Sequence, residues 1–261
     1  MPGDRRFNLK AFSEGLRTGY RESATRYTIM RRVTSVELLD QGVGSIEEIH
    51  GNLADLWRVN RYLGGVSNNM RLLRRFFRRT GKRRVRVLEV GAGDGRLAAR
   101  LRRELRKEGV GADFFVLDCR LRHLLAGRPD AQGVHPVVAD ALALPFAQST
   151  FDLVTCNLFL HHFSGARALQ LLTALASVAR EAVLINDLRR HWLPYWFVRL
   201  TPWLWRVEMS RLDGMASTRQ AYTRGEVVEL ASAARFGDFE VHRLAPFRLG
   251  LVLWMRQHVG G

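Results

Sequence analysis

Cysteine is nearly absent: only Cys119 and Cys156 occur in 261 residues. Both stand in patterns that read as strand ends or interiors, which assigns them the role of small buried side chains and excludes a disulfide framework. No spacing of Cys and His resembles a zinc site, so no metal ligands are expected from the sequence. Long apolar runs are also missing. Nothing reaches the ~18 to 20 residues of a membrane-spanning helix, and the start "MPGDRRFNLKAF" lacks the apolar centre of a secretory signal, so the reading is a cytoplasmic chain. Acidic residues are outnumbered, 25 against 41 basic, giving a net charge of +16 and a pI near 11.2. Lysine is scarce beside arginine, and the arginines are scattered along most of the chain rather than gathered on one element.

One denser basic patch does stand out, "RLLRRFFRRTGKRRVR" from Arg71 to Arg86, with no acidic residue inside it. Such a run suits an anionic partner, RNA or a lipid headgroup, through counterion release. It equally suits the solvated face of an amphipathic helix whose Leu72, Leu73, Phe76 and Phe77 point inward. The second reading is favoured, because charge of this kind supports non-specific association more readily than a defined function.

With 47% hydrophobic residues the chain can bury a full core, and its length suits one α/β domain with appendages. Residues 1–30 are polar, of mixed charge and without periodicity, and are expected to form a poorly ordered extension, with Met30 a second candidate start. Residues 31–84 read as a helical cap. Ser45 faces Glu48 three residues on, apolar residues then recur at helical spacing, and Gly64-Gly65 ends the run; a second helix is expected over about Asn68–Thr80. From Val85, short apolar runs alternate with helical patterns. Strands are expected at Val85–Val90, Phe114–Asp118, Val134–Ala139, Phe151–Asn157 and Ala182–Asp187. Helices between them fall at about Gly95–Glu108, Leu121–Ala126 and Ala166–Arg180, with another at Arg224–Ala234. Two last strands, Phe239–Leu244 and Gly250–Met255, form an antiparallel edge. The fold class is therefore α/β: a doubly wound, seven-stranded, mostly parallel sheet over residues 85–261.

"VRVLEVGAGDGRLAARL" places Gly91, Gly93 and Gly95 between a strand and a helix, where glycines let a ligand approach bare backbone beside free helical N–H groups. The spacing G-x-G-x-G departs from the dinucleotide fingerprint G-x-G-x-x-G. Glu89, two residues earlier, would repel a pyrophosphate and suits a ligand bearing an ammonium group. Asp118 ends the second strand, where a carboxylate can accept hydrogen bonds from ribose hydroxyls. Asp140 and Ala141, after the third strand, can meet an adenine ring.

These residues, with "VVADALALPFAQSTFDLVTCNLFLHH" and "VLINDL", resemble the class I S-adenosylmethionine-dependent methyltransferases, in particular the small-molecule branch that includes ubiquinone and menaquinone biosynthesis and polyketide-type pathways. The resemblance implies a Rossmann-like methyltransferase fold with S-adenosyl-L-methionine as cofactor. By it, Glu89 and the loop of Gly91, Ala92, Gly93 and Gly95 would hold the methionine part, Asp118 with Cys119 beside it the ribose, and Asp140 with Ala141 the adenine. Asn157 and Leu158 would line the reactive side.

For a base that takes a proton from a phenol or enol, the candidates are His161 and His162, just after the fourth strand at the carboxyl end of the sheet, and Asp187, which ends the fifth. His191 is a weaker one. The aromatic stretch over Trp192–Met209, within an insertion at about 190–220, reads as a lid over a hydrophobic substrate or as a segment touching a membrane surface. Arg219 and Tyr222 are expected at the pocket, and Thr223 as a helix cap. The function this supports is O-methylation of a hydrophobic small molecule: phenolic, quinone or polyketide-like. The alternatives are an RNA methyltransferase using the basic surface and a non-catalytic, membrane-peripheral protein of the same fold. Against RNA, "NLFL" lacks the paired prolines expected after Asn in enzymes that methylate base amino groups. An NAD-dependent oxidoreductase fits worse, on loop spacing and charge.

Overall fold

A computed structural model describes residues 30–127, 133–234, 236 and 238–255, so the expected N-terminal extension lies outside them apart from Met30. The strands are β1 (Arg84–Val90), β2 (Gly111–Asp118), β3 (Val134–Val138), β4 (Phe151–Asn157), β5 (Ala179–Leu188), β6 (Asp238–Leu244) and β7 (Arg248–Trp254). They form one sheet in the order β3-β2-β1-β4-β5-β7-β6. The first five run parallel, and β7 is antiparallel to both its neighbours. β4 is buried along its whole length, as an apolar run covered on both faces requires. Strand order turns around between β1 and β4, and the carboxyl ends of those strands border a crevice at that switch point.

Among the described residues, three helices precede the sheet: α1 (Leu38–Gln41), α2 (Ile46–Tyr62) and α3 (Gly65–Thr80). Ser45 and Glu48 form the expected reciprocal cap of α2, with Ser45 Oγ accepting from Glu48 N–H and Glu48 accepting from Ser45 N–H. Within and after the sheet come α4 (Arg96–Lys107), α5 (Leu121–Gly127), α6 (Gly165–Val178), α7 (Trp192–Leu200), α8 (Glu208–Gln220) and α9 (Arg224–Ala233). Thr223 caps α9 as expected. The predicted helix to Arg180 stops instead at Val178, because Ala179 pairs with Phe151 and starts β5 early. The aromatic stretch forms α7. Pro194 is tolerated there because it sits in the first turn, where its missing N–H costs no helical bond.

Two hydrophobic cores lie on opposite faces of the sheet. One joins Leu172, Leu175 and Leu230 to Val154 and Val183, the other Leu73, Phe76 and Leu101 to Val87 and Phe114. Each such fully buried side chain stabilises by roughly 1.5–3 kcal/mol relative to exposure. A smaller cluster, Leu39, Ile49, Leu53 and Met209, fastens α1, α2 and α8 together above the carboxyl ends of the strands.

The basic patch is the solvated face of α3. Leu72, Leu73 and Phe76 are buried and Phe77 is half-buried. Its cations meet acids from elsewhere: Arg74 with Glu108 at 2.6 Å, Arg75 with Glu240 at 2.5 Å, Arg79 with Asp238 at 2.5 Å, and Lys82 with Asp152 at 2.7 Å. Exposed pairs such as Arg74–Glu108 and Arg79–Asp238 add little stability, but the four pairs neutralise four of the patch's nine cations.

Candidate active site

After Val90 the chain turns through Gly91, Gly93 and Gly95 at φ of +69°, +57° and +71°. A Cβ at Gly91 would stand 2.5 Å from the Phe159 ring, so the loop can pass that ring only as glycine. Asp118, at the end of β2, clamps this loop: Oδ2 accepts from Gly93 N–H at 2.9 Å and Oδ1 from Arg120 N–H at 2.9 Å. Ala92 donates its N–H to Leu117 O and packs on the core rather than the cavity. His123 Nδ1 lies 3.2 Å from Asp118 Oδ1, and its buried Nε2 has no hydrogen-bond partner.

Glu89 is 3% exposed and sits beneath the glycine loop, not on the cavity wall. Burial, with the Asp94 carboxylate adding to it, pushes its pKa up to about 8. One of its oxygens, Oε2, is buried without a partner. A buried carboxyl left short of a donor, next to a loop of bare backbone, fits a cofactor carrying an ammonium group and does not fit a pyrophosphate. Asp118, Cys119, Asp140 and Ala141 all reach the cavity wall, Asp140 exposed and accepting from Leu142 N–H. Cys119 is exposed, a correction to the expectation of burial, because β2 ends one residue earlier. Leu158 also lines the cavity and is held at φ +52°, a conformation a non-glycine residue adopts only under local constraint.

Asn157 departs from its expected place. Its side chain turns away from the cavity into an amide network, Oδ1 accepting from Asn69 Nδ2 (2.9 Å) and Asn186 Nδ2 (3.0 Å) and Nδ2 donating to Asn60 Oδ1 (3.0 Å). The network ties the ends of β4 and β5 to α2 and α3, and a half-satisfied amide there would cost more than the cofactor contact would return.

The three catalytic candidates do meet, but not in one role. His161 is 2% exposed, with Nδ1 2.7 Å from Asp187 Oδ1, while its backbone N–H donates to Asp187 Oδ2. Burial by itself would lower the His161 pKa, yet the Asp187 and Glu37 carboxylates raise it to about 10. Asp187 in turn is lowered by His161 against its own burial, and it does not line the cavity. The expectation of either one as the base is therefore corrected: each is occupied by the other. His162 is different. It is half-buried on the cavity wall, and its Nδ1 lies 2.6 Å from Asp40 Oδ2, so that carboxylate orients the ring. His191 caps α7 through Leu193 N–H. Tyr222 donates to Phe163 O and lies under Arg32 3.9 Å away, and Arg219 is exposed and borders a second pocket with Arg32 and Tyr195; neither lines the main cavity.

Sequence reasoning missed several wall residues. Glu37, at the N-terminus of α1, accepts from Ser217 Oγ at 2.5 Å and Gln220 Nε2 at 2.9 Å. Burial opposes its ionisation, but His162 and His161 bring its pKa down to about 2. Asp213 of α8 caps α1 through Leu38 N–H and Leu39 N–H, and burial together with the Glu37 charge raises its pKa to about 6. Arg248 is 1% exposed with Nη1 unpartnered, and burial lowers its pKa to about 10. None of these has a local signature, since each partner lies more than a hundred residues away.

All of this surrounds one cavity of about 690 Å³. Its floor is Gly91, Gly93, Leu117 and Leu158, and its roof is Leu53, Leu56 and Val59 of α2 with Leu193, Phe197 and Val198 of α7. The volume lies in the range of small-molecule sites.

Residues 87–182 match the family model described as a methyltransferase domain. An uncharacterized methyltransferase of Schizosaccharomyces pombe is 24% identical over 163 residues, covering 60% of this chain and 62% of that protein's length. Among solved structures, a SAM-dependent methyltransferase from Aquifex aeolicus superimposes with a TM-score of 0.56 at 16% identity, over 82% of this chain and 100% of that one. The plantazolicin methyltransferase BpumL, in complex with a monoazolic desmethylPZN analog and SAH, gives 0.56 at 14% identity over 84% and 100%. Residues 87–182 thus match a methyltransferase domain, and the chain shares the fold of solved S-adenosylmethionine-dependent methyltransferases.

Proposed function

We propose that the chain methylates an oxygen of a hydrophobic small molecule, phenolic, quinone or polyketide-like, held in the cavity under α7 and α8. The observation that carries this reading is the composition of the wall. The lining surface is mostly apolar, with leucine, valine and phenylalanine side chains prominent in it, and Glu37, His161 and His162 form a polar corner apart from the acids at the strand ends, Asp118 and Asp140. The cofactor would be held by Glu89, Gly91, Gly93, Gly95, Asp118, His123, Asp140, Ala141 and Leu158. When bound, it supplies an electrophilic methyl group on a sulfonium. The apolar roof excludes water, which favours an anionic nucleophile, and alignment of donor with acceptor is worth effective molarities of about 10⁵ M or more. The acceptor's proton leaves at the polar corner, where His162 is steered by Asp40 on its far side.

In this reading residues 31–84 serve as a cap over the site, and residues 190–220 as its lid. The outer face of that lid supports a second contact. Trp192, Trp196 and Leu200 of α7 are exposed, as is Trp203, at 75%, just beyond it, beside Arg199 and Arg206. Interfacial aromatics beside arginine suit an anionic lipid surface, from which a lipophilic acceptor could enter. Among the described residues no helix is long and apolar enough to cross a membrane. An RNA acceptor is not favoured, since three of the five arginines of α3, Arg74, Arg75 and Arg79, are matched by Glu108, Glu240 and Asp238.

The test is incubation of the protein with methyl-labelled S-adenosylmethionine and a hydrophobic extract of its host, followed by mass spectrometry. A labelled product extractable into organic solvent is expected. Label confined to RNA, or no calorimetric binding of S-adenosylhomocysteine, defeats the reading.

A further inference from the structure

The polar corner has a feature that proton transfer alone does not require. Both imidazoles turn Nδ1 to a carboxylate, His161 to Asp187 at 2.7 Å and His162 to Asp40 at 2.6 Å. Both Nε2 atoms then face the same third group. His161 Nε2 is 3.3 Å from Glu37 Oε1, and His162 Nε2 is 3.8 Å from Glu37 Oε2. The donor atoms of the three residues all lie within 4.8 Å of one another. His161 Nε2, on a residue only 2% exposed, makes no hydrogen bond of acceptable geometry.

Two imidazole nitrogens and a carboxylate converging in this way call for a cation between them. For metal–ligand distances of about 2.1 Å, the ligands of a tetrahedral ion stand about 3.4 Å apart, and the two Nε2–Glu37 separations bracket that value. The surroundings match as well. A metal-ligating histidine ordinarily gives its other N–H to a carboxylate, which fixes tautomer and ring orientation, and here both do. Ligating carboxylates are themselves hydrogen-bonded, as Glu37 is by Ser217 and Gln220. The sequence offers no such signal, because Glu37 is more than 120 residues from the histidines.

We propose that Glu37, His161 and His162 bind one divalent first-row transition ion, of which zinc is the representative. Nitrogen donors favour that class over magnesium or calcium, and no thiolate takes part. Three protein ligands leave a coordination position open, which is the arrangement of catalytic rather than structural sites. All three residues line the cavity, so that position takes the acceptor's oxygen. This last step rests on the reading of the cavity given above. The ion then draws the proton from the bound hydroxyl, which passes to solvent, and His162 serves as ligand instead of base.

The experiment is elemental analysis of the tagless protein after exposure to Zn²⁺ and desalting, with Co²⁺ titration followed by visible absorption. The expected result is about one equivalent of zinc and a cobalt d–d band in the wild type. In Glu37→Gln and His162→Gln zinc falls at least tenfold, while S-adenosylhomocysteine still binds. Wild-type protein that binds S-adenosylhomocysteine but retains no zinc and develops no cobalt band overturns the proposal, as do variants that hold as much zinc as the wild type. Zinc at full stoichiometry in a protein that methylates no hydrophobic acceptor leaves the site standing and defeats the acceptor reading instead. Methylation undiminished after chelation removes the ion's role in transfer.

Discussion

The two halves of the cavity are built differently. The half proposed for the cofactor comes from one stretch of chain, Gly91 to Leu158, in which parallel strands deliver their last residues to the same edge. The half proposed for the acceptor is gathered from Glu37, Asp40, His161, His162, Asp213 and Arg248, carried on segments that are brought together only by folding. A local motif suffices where repeated βα units aim their ends at one place. A specific pocket needs charges brought together from far apart, and their burial makes each depend on the others.

That difference sets the size of what mutations should do. The largest effect is expected in the acceptor half. His161→Ala leaves Asp187 buried without its imidazole partner and Glu37 with His162 alone, and breaking a buried pair costs about 3–5 kcal/mol. Urea denaturation of the apo protein measures it; a loss below about 1 kcal/mol would show that these carboxylates are solvated in the folded state.

Next comes a split between the halves. His162→Ala should lower turnover by about 10²-fold with cofactor affinity nearly intact, whereas Asp118→Ala should weaken cofactor binding by about tenfold or more. Steady-state kinetics and calorimetry separate the two, and an equal loss of cofactor binding in both variants would erase the division drawn here.

A smaller effect concerns Glu89. Its folded pKa, about 8, is raised above the ordinary 4.5, so the folded protein holds a proton there that the unfolded chain has lost. The stability this proton contributes is fully present below pH 4.5 and disappears as pH rises through 8. Apo stability should therefore slope downward between those limits, and Glu89→Gln should flatten the slope. Ionisation of Glu89 beside an ammonium group further predicts release of up to about one proton on cofactor binding at pH 7. Titrations in buffers of different ionisation enthalpy read it directly, and zero release would place Glu89 outside the cofactor's reach.

The smallest effect is expected at α3. Reversing the charge of exposed Arg78 should change stability by less than about 0.5 kcal/mol and leave methyl transfer unchanged between low and moderate salt. A steep fall with salt would favour a nucleic-acid acceptor.

The sheet, its strand ends and the glycine turn were legible because their signals are local. Apolar runs of strand length, the Ser45–Glu48 cap, and glycines required at positive φ all act within a few residues. The short α1 and the boundary between α6 and β5 were not legible. A four-residue helix has no period, and Ala179 joins β5 only because Phe151 is there to pair with it. The residues at the cavity divide in the same way. Asp118, Asp140 and Leu158 follow from strand ends, while Asn157 looked equivalent until Asn60, Asn69 and Asn186 drew its amide aside.

The amino-acid order alone determined a parallel α/β sheet and a bend suited to a nucleoside with an amino-acid tail, since periodicity and backbone sterics need no distant partner. Folding decided the rest: which histidine is held by the buried Asp187 and which by the more exposed Asp40, and that a glutamate at the N-cap of α1 closes their corner. Electrostatic energy depends on separation in space, and separation along the chain does not reveal it.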